Sequence, residues 1–299
     1  MLESLQFVDT DLPWFFYVSS FAFGTIIGSF LNVCIYRIPE KRSLSSPGST
    51  CACGKPIAWH DNIPVLSWFI LKGKARCCGA PYSFRYPFVE LLTGCLFLAA
   101  WHMHSPAKAL CIMLFASLLI CASFIDFDHM EIPNRFSVGL AVIGVALSAA
   151  VPSLHISGSD PYAALSIQSA FTSIIGVLIG SGVILWIALI AEMLLRKEAM
   201  GFGDVKLLGG IGAFLGWQGA VFSIFGGATI GCVGLLLWAI IKALVPGLRK
   251  KAGNNQEEDR HIPFGPMLSA GALLYTLLLE QRVDAYFLLF SEIDLVSVF

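Results

Sequence analysis

The sequence predicts an all-α polytopic membrane protein of about eight transmembrane helices with one small soluble loop domain. Hydrophobic residues make up 57% of the 299 residues and charged residues only 13%, whereas soluble domains carry about 25% charged residues. The mean hydropathy is +0.76. The apolar residues are grouped in long runs, and about 20 such residues suffice to cross the hydrocarbon core of a bilayer. A lipid bilayer is therefore the first predicted partner.

The apolar runs define the predicted helices in chain order. We expect spans at residues 12–36, 86–101, 109–125, 136–151 and 163–191, two within 207–241, and a last one at 262–279. The run 207–241 is too long for one crossing, and the turn-forming segment 216–219, with glycine at both ends, would divide it. The chain accordingly divides into an N-terminal segment with the first helix (1–36), a soluble loop domain (37–85) and a transmembrane core (86–299).

Lysine and arginine residues are unevenly distributed between the two sides that these spans define. Cytoplasmic loops retain positive charge. If the N-terminus lies outside, all 19 Lys and Arg residues except Lys108 and Arg282 fall on the cytoplasmic side, and the loop 37–85 is cytoplasmic. The net charge is only -1. No nucleic-acid partner is predicted, and the sequence carries no signal for an oligomeric state.

Two aspartates flank apolar runs at the same predicted depth. Asp126 follows the run 109–125, and Asp204 precedes the run 207–241. An ionisable group against hydrocarbon is costly and usually functional. Two carboxyl groups at one site cannot both ionise cheaply, so one holds a proton while the other acts as a base, which is the basis of aspartic proteolysis. Asp126 and Asp204 therefore predict a membrane-embedded aspartyl protease.

Several residues near this pair are candidates for supporting roles. Gly201 and Gly203 would let an extended substrate backbone approach the adjacent aspartate, or would pack helices closely. Asp128 lies two residues beyond the first aspartate and would point to another side of a helix. Lys206 would pair with an acid and favour carboxylate charge, or would extend to the membrane surface. Glu90 opens the second span, where the helix dipole favours an acid.

The loop 37–85 contains a group of four cysteines, which are Cys51, Cys53, Cys77 and Cys78. Two cysteine pairs in a small loop resemble a zinc ribbon, in which four thiolates close a tetrahedral site and contribute folding energy. The usual pairing is C-x-x-C, whereas this chain has C-x-C and then adjacent cysteines, which reach one metal ion with difficulty. The alternative is four free thiols in a loop folded by its aromatic residues Trp59, Trp68 and Phe69.

Three other interpretations compete with the protease. Each aspartate could cap a helix, since aspartate is favoured at helix N-termini, but Asp126 ends its helix, where the dipole disfavours an anion. A proton-coupled transporter would also use intramembrane acids and broken glycine-rich helices. The clustering of the acids at one face and the lack of a visible internal repeat argue against it. A non-catalytic zinc-bearing membrane scaffold would make both aspartates dispensable.

A series of motifs resembles the type IV prepilin peptidase family, the leader peptidases and N-methyltransferases of type IV pili and type II secretion. The motifs are GSFLNV at 28–33 with YRIP at 36–39, WHDNIPVLSW at 59–68, CGAP at 78–81 with RYP at 85–87 and VELLTG at 89–94, DFD at 126–128 with IPN at 132–134, and GFGDVK at 201–206. They occur in order over residues 24–220.

The resemblance implies that Asp126 and Asp204 are the catalytic pair of a GxGD-type aspartyl protease in a bacterial inner membrane. It implies a prepilin or pseudopilin substrate whose short basic leader is cut after a glycine on the cytoplasmic side. It also implies methylation of the new amino group with S-adenosylmethionine. The cysteines depart from the family pattern of two C-x-x-C pairs, because Thr50 and Ala75 stand where the first cysteine of each pair is expected.

Overall fold

The computed structural model describes residues 13–51, 53–156, 158–196, 201–244 and 263–296. Its helices are α1 (Pro13–Arg37), α2 (Leu66–Ile70), α3 (Arg85–Met103), α4 (Pro106–His129), α5 (Asn134–Ala150), α6 (Tyr162–Leu195), α7 (Phe202–Leu244), α8 (Gly265–Leu274) and α9 (Glu280–Val296). A π-helical turn, Tyr275–Leu279, joins α8 to α9. The described part of the chain has no β-strand and only two isolated bridges, so the all-α prediction is confirmed.

Four of the described helices are long and apolar enough to cross a membrane. They are Trp14–Arg37 within α1, and α4, α6 and α7. Helix α5 is a shorter apolar helix of 17 residues, and α8 has 10 residues. The chain is therefore a helical membrane protein with four candidate spans in its described residues, and the total of eight crossings stays a prediction.

Helix α7 is broken where the sequence predicts a turn. Its 43 residues would extend about 65 Å as one straight helix, roughly twice the thickness of a bilayer core. Gly216, with φ 70° and ψ −178°, interrupts the helical geometry. This backbone conformation is readily adopted only by glycine. The part that precedes the break, 202–215, would extend only about 21 Å.

Small residues bring α6 and α7 into close contact. A Cβ atom placed on Gly176 would lie 2.0 Å from the Gly212 carbonyl oxygen, so no side chain fits between the two backbones. Such approach between helices is typical of membrane proteins. On another side of α7, the buried ring of Phe214 stacks on Phe115 of α4 with 4.8 Å between centroids. These contacts set the first part of α7 beside α4.

Helices α1 and α3 form a second close pair, on which the loop domain rests. A Cβ atom on Gly28 would lie 2.7 Å from the Glu90 Cα atom. Asn32 in α1 donates a hydrogen bond to the Tyr86 carbonyl oxygen at 3.1 Å. The residues between α1 and α3 therefore start and end side by side.

Candidate functional site

Asp126 and Asp204 meet at one end of the helix bundle. Asp126 lies in the last turn of α4, and Asp204 lies in the first turn of α7. Their exposed fractions are 7% and 8%, so both carboxyl groups are taken out of solvent. Gly203, next to Asp204, and Gly265, which bonds to Asp126, both border the side chain of Ile132. The structure thus brings together two buried acids that the sequence separates by a helix pair.

Two further residues complete the surroundings of the pair. The Gly265 N–H at the start of α8 donates a hydrogen bond to Asp126 Oδ2 at 3.2 Å. Ile132, in the connection from α4 to α5, lies between the starts of α7 and α8. Cβ atoms placed on Gly203 and Gly265 would be 3.3 and 3.0 Å from its side chain. The end of α4 and the starts of α7 and α8 therefore converge on one small site.

The contacts of the two aspartates differ from helix capping. Asp126 is at the C-terminal end of its own helix, where the dipole disfavours an anion, and its partner is the N-terminus of another helix. Asp204 is placed favourably for the dipole of α7. Its backbone N–H bonds to the Gly201 carbonyl oxygen at 3.1 Å. Capping alone therefore does not account for Asp126.

Asp128 has a separate partner on α3. The Arg85 guanidinium contacts both carboxylate oxygens of Asp128, at 2.8 and 2.7 Å. The same guanidinium lies over the Phe124 ring, 4.9 Å from its centroid. Asp128 therefore links the end of α4 to the start of α3 instead of joining the buried pair, and its supporting role stays a prediction.

The other predicted supporting residues divide between packing and polar contacts. Lys206 Nζ donates to Asn134 Oδ1 at 2.9 Å and lies over the Phe202 ring, so its described partners are an amide and a ring instead of an acid. Gly203 packs against the helix connection, as above. A Cβ atom on Gly201 would have only Asp204 Oδ2 and a backbone nitrogen near 4 Å, which leaves the exposed side of the site open there.

Glu90 corrects a prediction made from the sequence. It is the sixth residue of α3, beyond the first turn, so it does not act as an acid at the helix N-terminus. Its Oε2 atom instead accepts a hydrogen bond from the Val65 N–H at 2.7 Å. Val65 has φ 63°, an unfavourable value for a β-branched residue. The buried carboxylate therefore holds a strained turn of the loop domain against the membrane helices.

The four loop cysteines lie in two tight turns that face each other. In the first turn the Cys51 N–H bonds to the Lys55 carbonyl oxygen and the Gly54 N–H to the Cys51 carbonyl oxygen, both at 2.8 Å. In the second turn the Gly79 N–H bonds to the Ala75 carbonyl oxygen at 2.8 Å. Both glycines have positive φ values, 83° and 70°. These turns direct the sulfur atoms toward one point.

The sulfur geometry fits a tetrahedral metal site. All four Sγ atoms lie within 4.8 Å of one another. Cys51 is 3.5 Å from Cys78, and Cys53 is 3.4 Å from Cys77. Zinc bonds of about 2.3 Å in a tetrahedron place sulfur atoms about 3.8 Å apart. The adjacent cysteines therefore both reach the cluster, contrary to the difficulty that their spacing suggests.

The close contacts within the cluster shift the pKa values of the thiols in opposite directions. A hydrogen bond from the Cys53 backbone, followed by contacts with the thiols of Cys77 and Cys78, lowers the pKa of Cys51 to about 7. The neighbouring thiol of Cys51 in turn raises the pKa of Cys77 to about 12. The thiolate is the form that ligates metal. One of the four groups is thus readily ionised at neutral pH, and a bound cation would favour ionisation of the others.

The alternative of a loop folded by aromatic residues receives little support. Trp59 is 82% exposed and Phe69 is 58% exposed. Trp68 packs against both Phe69 and Phe84, with 5.2 Å between ring centroids in each pair. Its indole N–H donates to the Tyr82 carbonyl oxygen at 3.4 Å. The cysteine cluster and the Arg76–Asp61 ion pair therefore both connect the two halves of the loop domain.

Sequence reasoning missed Gly265 and Ile132 as members of the aspartate site. Gly265 stands between Phe264 and Pro266, and this pattern marks the start of a helix without showing what the helix faces. Ile132 belongs to the IPN motif and carries no polar group. The signals available were the IPN motif shortly after DFD for Ile132, and for Gly265 its position at the start of the predicted span 262–279, on the same predicted side as the aspartates.

Comparisons with known proteins agree with this architecture. The Bacterial Peptidase A24 N-terminal domain matches residues 22–104, and the Type IV leader peptidase family matches residues 113–240. A Prepilin leader peptidase/N-methyltransferase of Myxococcus xanthus is 36% identical over 74% of this chain and 64% of its own length. No solved structure matches the chain.

Two other relatives align over nearly their whole length. The Type 4 prepilin-like proteins leader peptide-processing enzyme of Escherichia coli O78:H11 is 37% identical, over 84% of this chain and 89% of the relative. The Prepilin leader peptidase/N-methyltransferase of Aeromonas hydrophila is 34% identical, over 86% and 89%. Asp126 and Asp204 both fall within the second family match. The chain belongs to the Type IV leader peptidase family.

Proposed function

We propose that this protein cleaves the basic leader peptide from type IV prepilins or type II secretion pseudopilins, and that it methylates the amino group which the cleavage exposes. The observation that carries the peptidase is the convergence of two buried carboxyl groups, Asp126 and Asp204, at one end of the helix bundle. The names of the relatives support both activities. They give no comparable support to a proton-coupled transporter.

The two aspartates suffice for peptide hydrolysis. The ionised member removes a proton from a water molecule, and the oxygen of that water attacks the scissile carbonyl carbon. The protonated member donates a hydrogen bond to the carbonyl oxygen. The member that took the proton from water then passes it to the amide nitrogen, the C–N bond breaks, and the amine leaves without a covalent intermediate with the protein. The open side next to Gly201 provides room for an extended substrate backbone to approach Asp204.

The cysteine cluster suits a structural zinc ion. Cys51, Cys53, Cys77 and Cys78 would supply four thiolates, and the metal would hold the two turns of the loop domain together. S-adenosylmethionine would supply the methyl group for the second reaction. The described residues of the loop domain contain no glycine-rich nucleotide loop, so the methyl donor rests on the names of the relatives alone.

We also propose the topology that the charge distribution favours. The protein would cross a bacterial inner membrane about eight times, with its N-terminus outside and its loop domain in the cytoplasm. The parts 1–36, 37–85 and 86–299 would be the first span, the methylation-associated loop domain and the protease core. A membrane-impermeant thiol reagent applied outside intact cells should leave the four loop cysteines unlabelled. Labelling of Cys53, the residue of the first turn that is exposed, would invert this topology.

Co-expression with a prepilin tests the proposed function. The mass of the mature pilin's N-terminal peptide reports both reactions, because leader removal and methylation change it independently. We expect a peptide that begins after the leader glycine and carries one methyl group. A prepilin that keeps its full leader in the presence of the folded enzyme would contradict the proposal and restore the transporter and scaffold alternatives.

A further inference from the structure

The start of α8 points a single hydrogen-bond donor at one member of the aspartate pair. Gly265 is the first residue of α8, and Phe264 before it makes no side-chain cap. The N–H groups of Met267 and Leu268 both bond to the Phe264 carbonyl oxygen at 3.0 Å, and Pro266 has no N–H. Of the first-turn donors, the Gly265 N–H is thus the one directed away from the helix, and it bonds to Asp126 Oδ2.

Glycine is required at this position by the closeness of the carboxylate. A Cβ atom on Gly265 would lie 2.6 Å from Asp126 Oδ2, well inside contact distance, and 3.0 Å from Ile132 Cδ1. Any other residue would displace the carboxylate or the start of α8. Only glycine at position 265 therefore allows the backbone to come this close to the Asp126 carboxylate.

Asp204 has no equivalent donor among the described residues. The neighbouring Lys206 donates to Asn134 Oδ1. On its other side, Gly201 presents open space. The dipoles of α4 and α7 favour charge at Asp204, but a hydrogen bond to the charged form of a carboxyl group is the stronger effect and favours ionisation of Asp126. The electrostatic surroundings of the two aspartates are thus unequal, and the advantage of charge lies with Asp126.

We propose that the Gly265 N–H holds Asp126 as the ionised member of the pair, so that Asp126 is the base and Asp204 carries the shared proton. In the reaction Asp126 takes the proton from water, while Asp204 donates its hydrogen bond to the scissile carbonyl. Gly265 is a positioning residue, because it acts through Asp126. This assignment of roles rests on the proposed peptidase function.

The test is the pH dependence of leader cleavage by the purified full-length enzyme in detergent, with a prepilin-derived peptide as substrate. Gly265→Ala keeps the N–H but pushes the carboxylate away from it. Gly139→Ala is the matched control, because a Cβ atom there meets no atom within 4 Å. We expect Gly265→Ala to lower kcat about 100-fold, as a displacement near 1 Å does, with KM nearly unchanged. The control should retain the wild-type profile.

The decisive readout is the acidic limb of the kcat profile. Loss of a hydrogen bond to a charged group should move that limb toward neutral pH by about one to two pH units. An amide-to-ester replacement at residue 265 removes the N–H without adding volume, and it should produce the same shift if the alanine variant fails to fold. An unshifted limb in the ester variant would overturn the assignment. That result would leave the peptidase standing, because the peptidase is tested separately by the loss of cleavage in Asp126→Asn and in Asp204→Asn.

Discussion

Serine substitution in the cysteine cluster should release a metal ion from the loop domain. Cys53→Ser and Cys78→Ser each remove one of four thiolates whose sulfur atoms lie within 4.8 Å of one another. Cys53 lies 3.4 Å from Cys77, and Cys78 lies 3.5 Å from Cys51. Each variant therefore removes one sulfur atom from a different pair. Cys232→Ser, at an exposed cysteine of α7 outside the cluster, is the matched control.

The magnitude follows from the geometry of the site. The Cys51–Cys78 and Cys53–Cys77 separations are about 0.3 to 0.4 Å short of the tetrahedral value for zinc. Because no Sγ pair exceeds 4.8 Å, binding requires only small shifts of the two turns. Changing a residue that merely supports a zinc ligand weakens affinity about 10- to 100-fold. Loss of a ligand should therefore weaken zinc binding by more than about 100-fold. Elemental analysis of freshly purified protein should find about one equivalent of zinc in wild type and Cys232→Ser, and little in either loop variant.

Measurement of leader cleavage distinguishes the role of the cysteine cluster from that of the aspartates. Because the buried carboxyl groups lie in α4 and α7, the loop variants should lose methylation or loop stability before they lose cleavage. Active wild-type enzyme without zinc, prepared without chelator, would refute the metal site. The four cysteines would then be a cluster of free thiols.

Two other predictions concern single buried groups. Burial lowers the pKa of His155 to about 4, although a hydrogen bond with the Ala213 carbonyl oxygen opposes the shift. The folded state therefore binds fewer protons than the unfolded state between pH 6.5 and 4. As the pH is lowered from 6.5 to 4, the free energy of unfolding should therefore fall by at most about 3 kcal/mol. Thermal unfolding measures this fall, which should be smaller in His155→Gln. Glu90→Leu should destabilise the loop domain by about 1 to 3 kcal/mol, because the Val65 N–H loses its acceptor.

Controls make both predictions decisive. Equal pH dependence in wild type and His155→Gln would show that other groups govern acid stability. Glu90→Gln keeps a carbonyl acceptor for Val65, so amide hydrogen exchange in the loop should stay near wild type in this variant and rise in Glu90→Leu. Slow exchange in Glu90→Leu would mean that the strained turn is held by other contacts.

The sequence predicted an all-helical membrane protein, and it predicted Asp126 and Asp204 on the same side of the membrane, for a clear physical reason. Apolar runs of membrane length are unambiguous in composition, and Asp126 and Asp204 interrupt that composition at one predicted depth. The break at Gly216 was also predictable, because no single helix of 43 residues fits a bilayer core. These features depend only on local sequence and on the constraint that the bilayer imposes.

The contacts that orient the site could not be predicted in this way. Gly265 lies 139 residues from its acceptor Asp126, and only the packing of α8 against α4 brings them together. Glu90 was assigned to a helix end, but its partner is a backbone N–H in the loop domain. The adjacent cysteines converge because Gly54 and Gly79 adopt positive φ values, which the C-x-C and C-C spacing does not reveal.

Leader cleavage by three aspartate variants is the most direct test of the central claim. Asp126→Asn and Asp204→Asn preserve the size of each buried side chain but remove the ionisable carboxyl group, so both should abolish cleavage of a prepilin peptide. Asp128→Asn alters only the half-exposed pair with Arg85, which contributes at most about 1 kcal/mol, and should retain most activity. All three variants must remain folded in the membrane fraction. Cleavage at the wild-type rate by either Asp126→Asn or Asp204→Asn would contradict the two-aspartate mechanism.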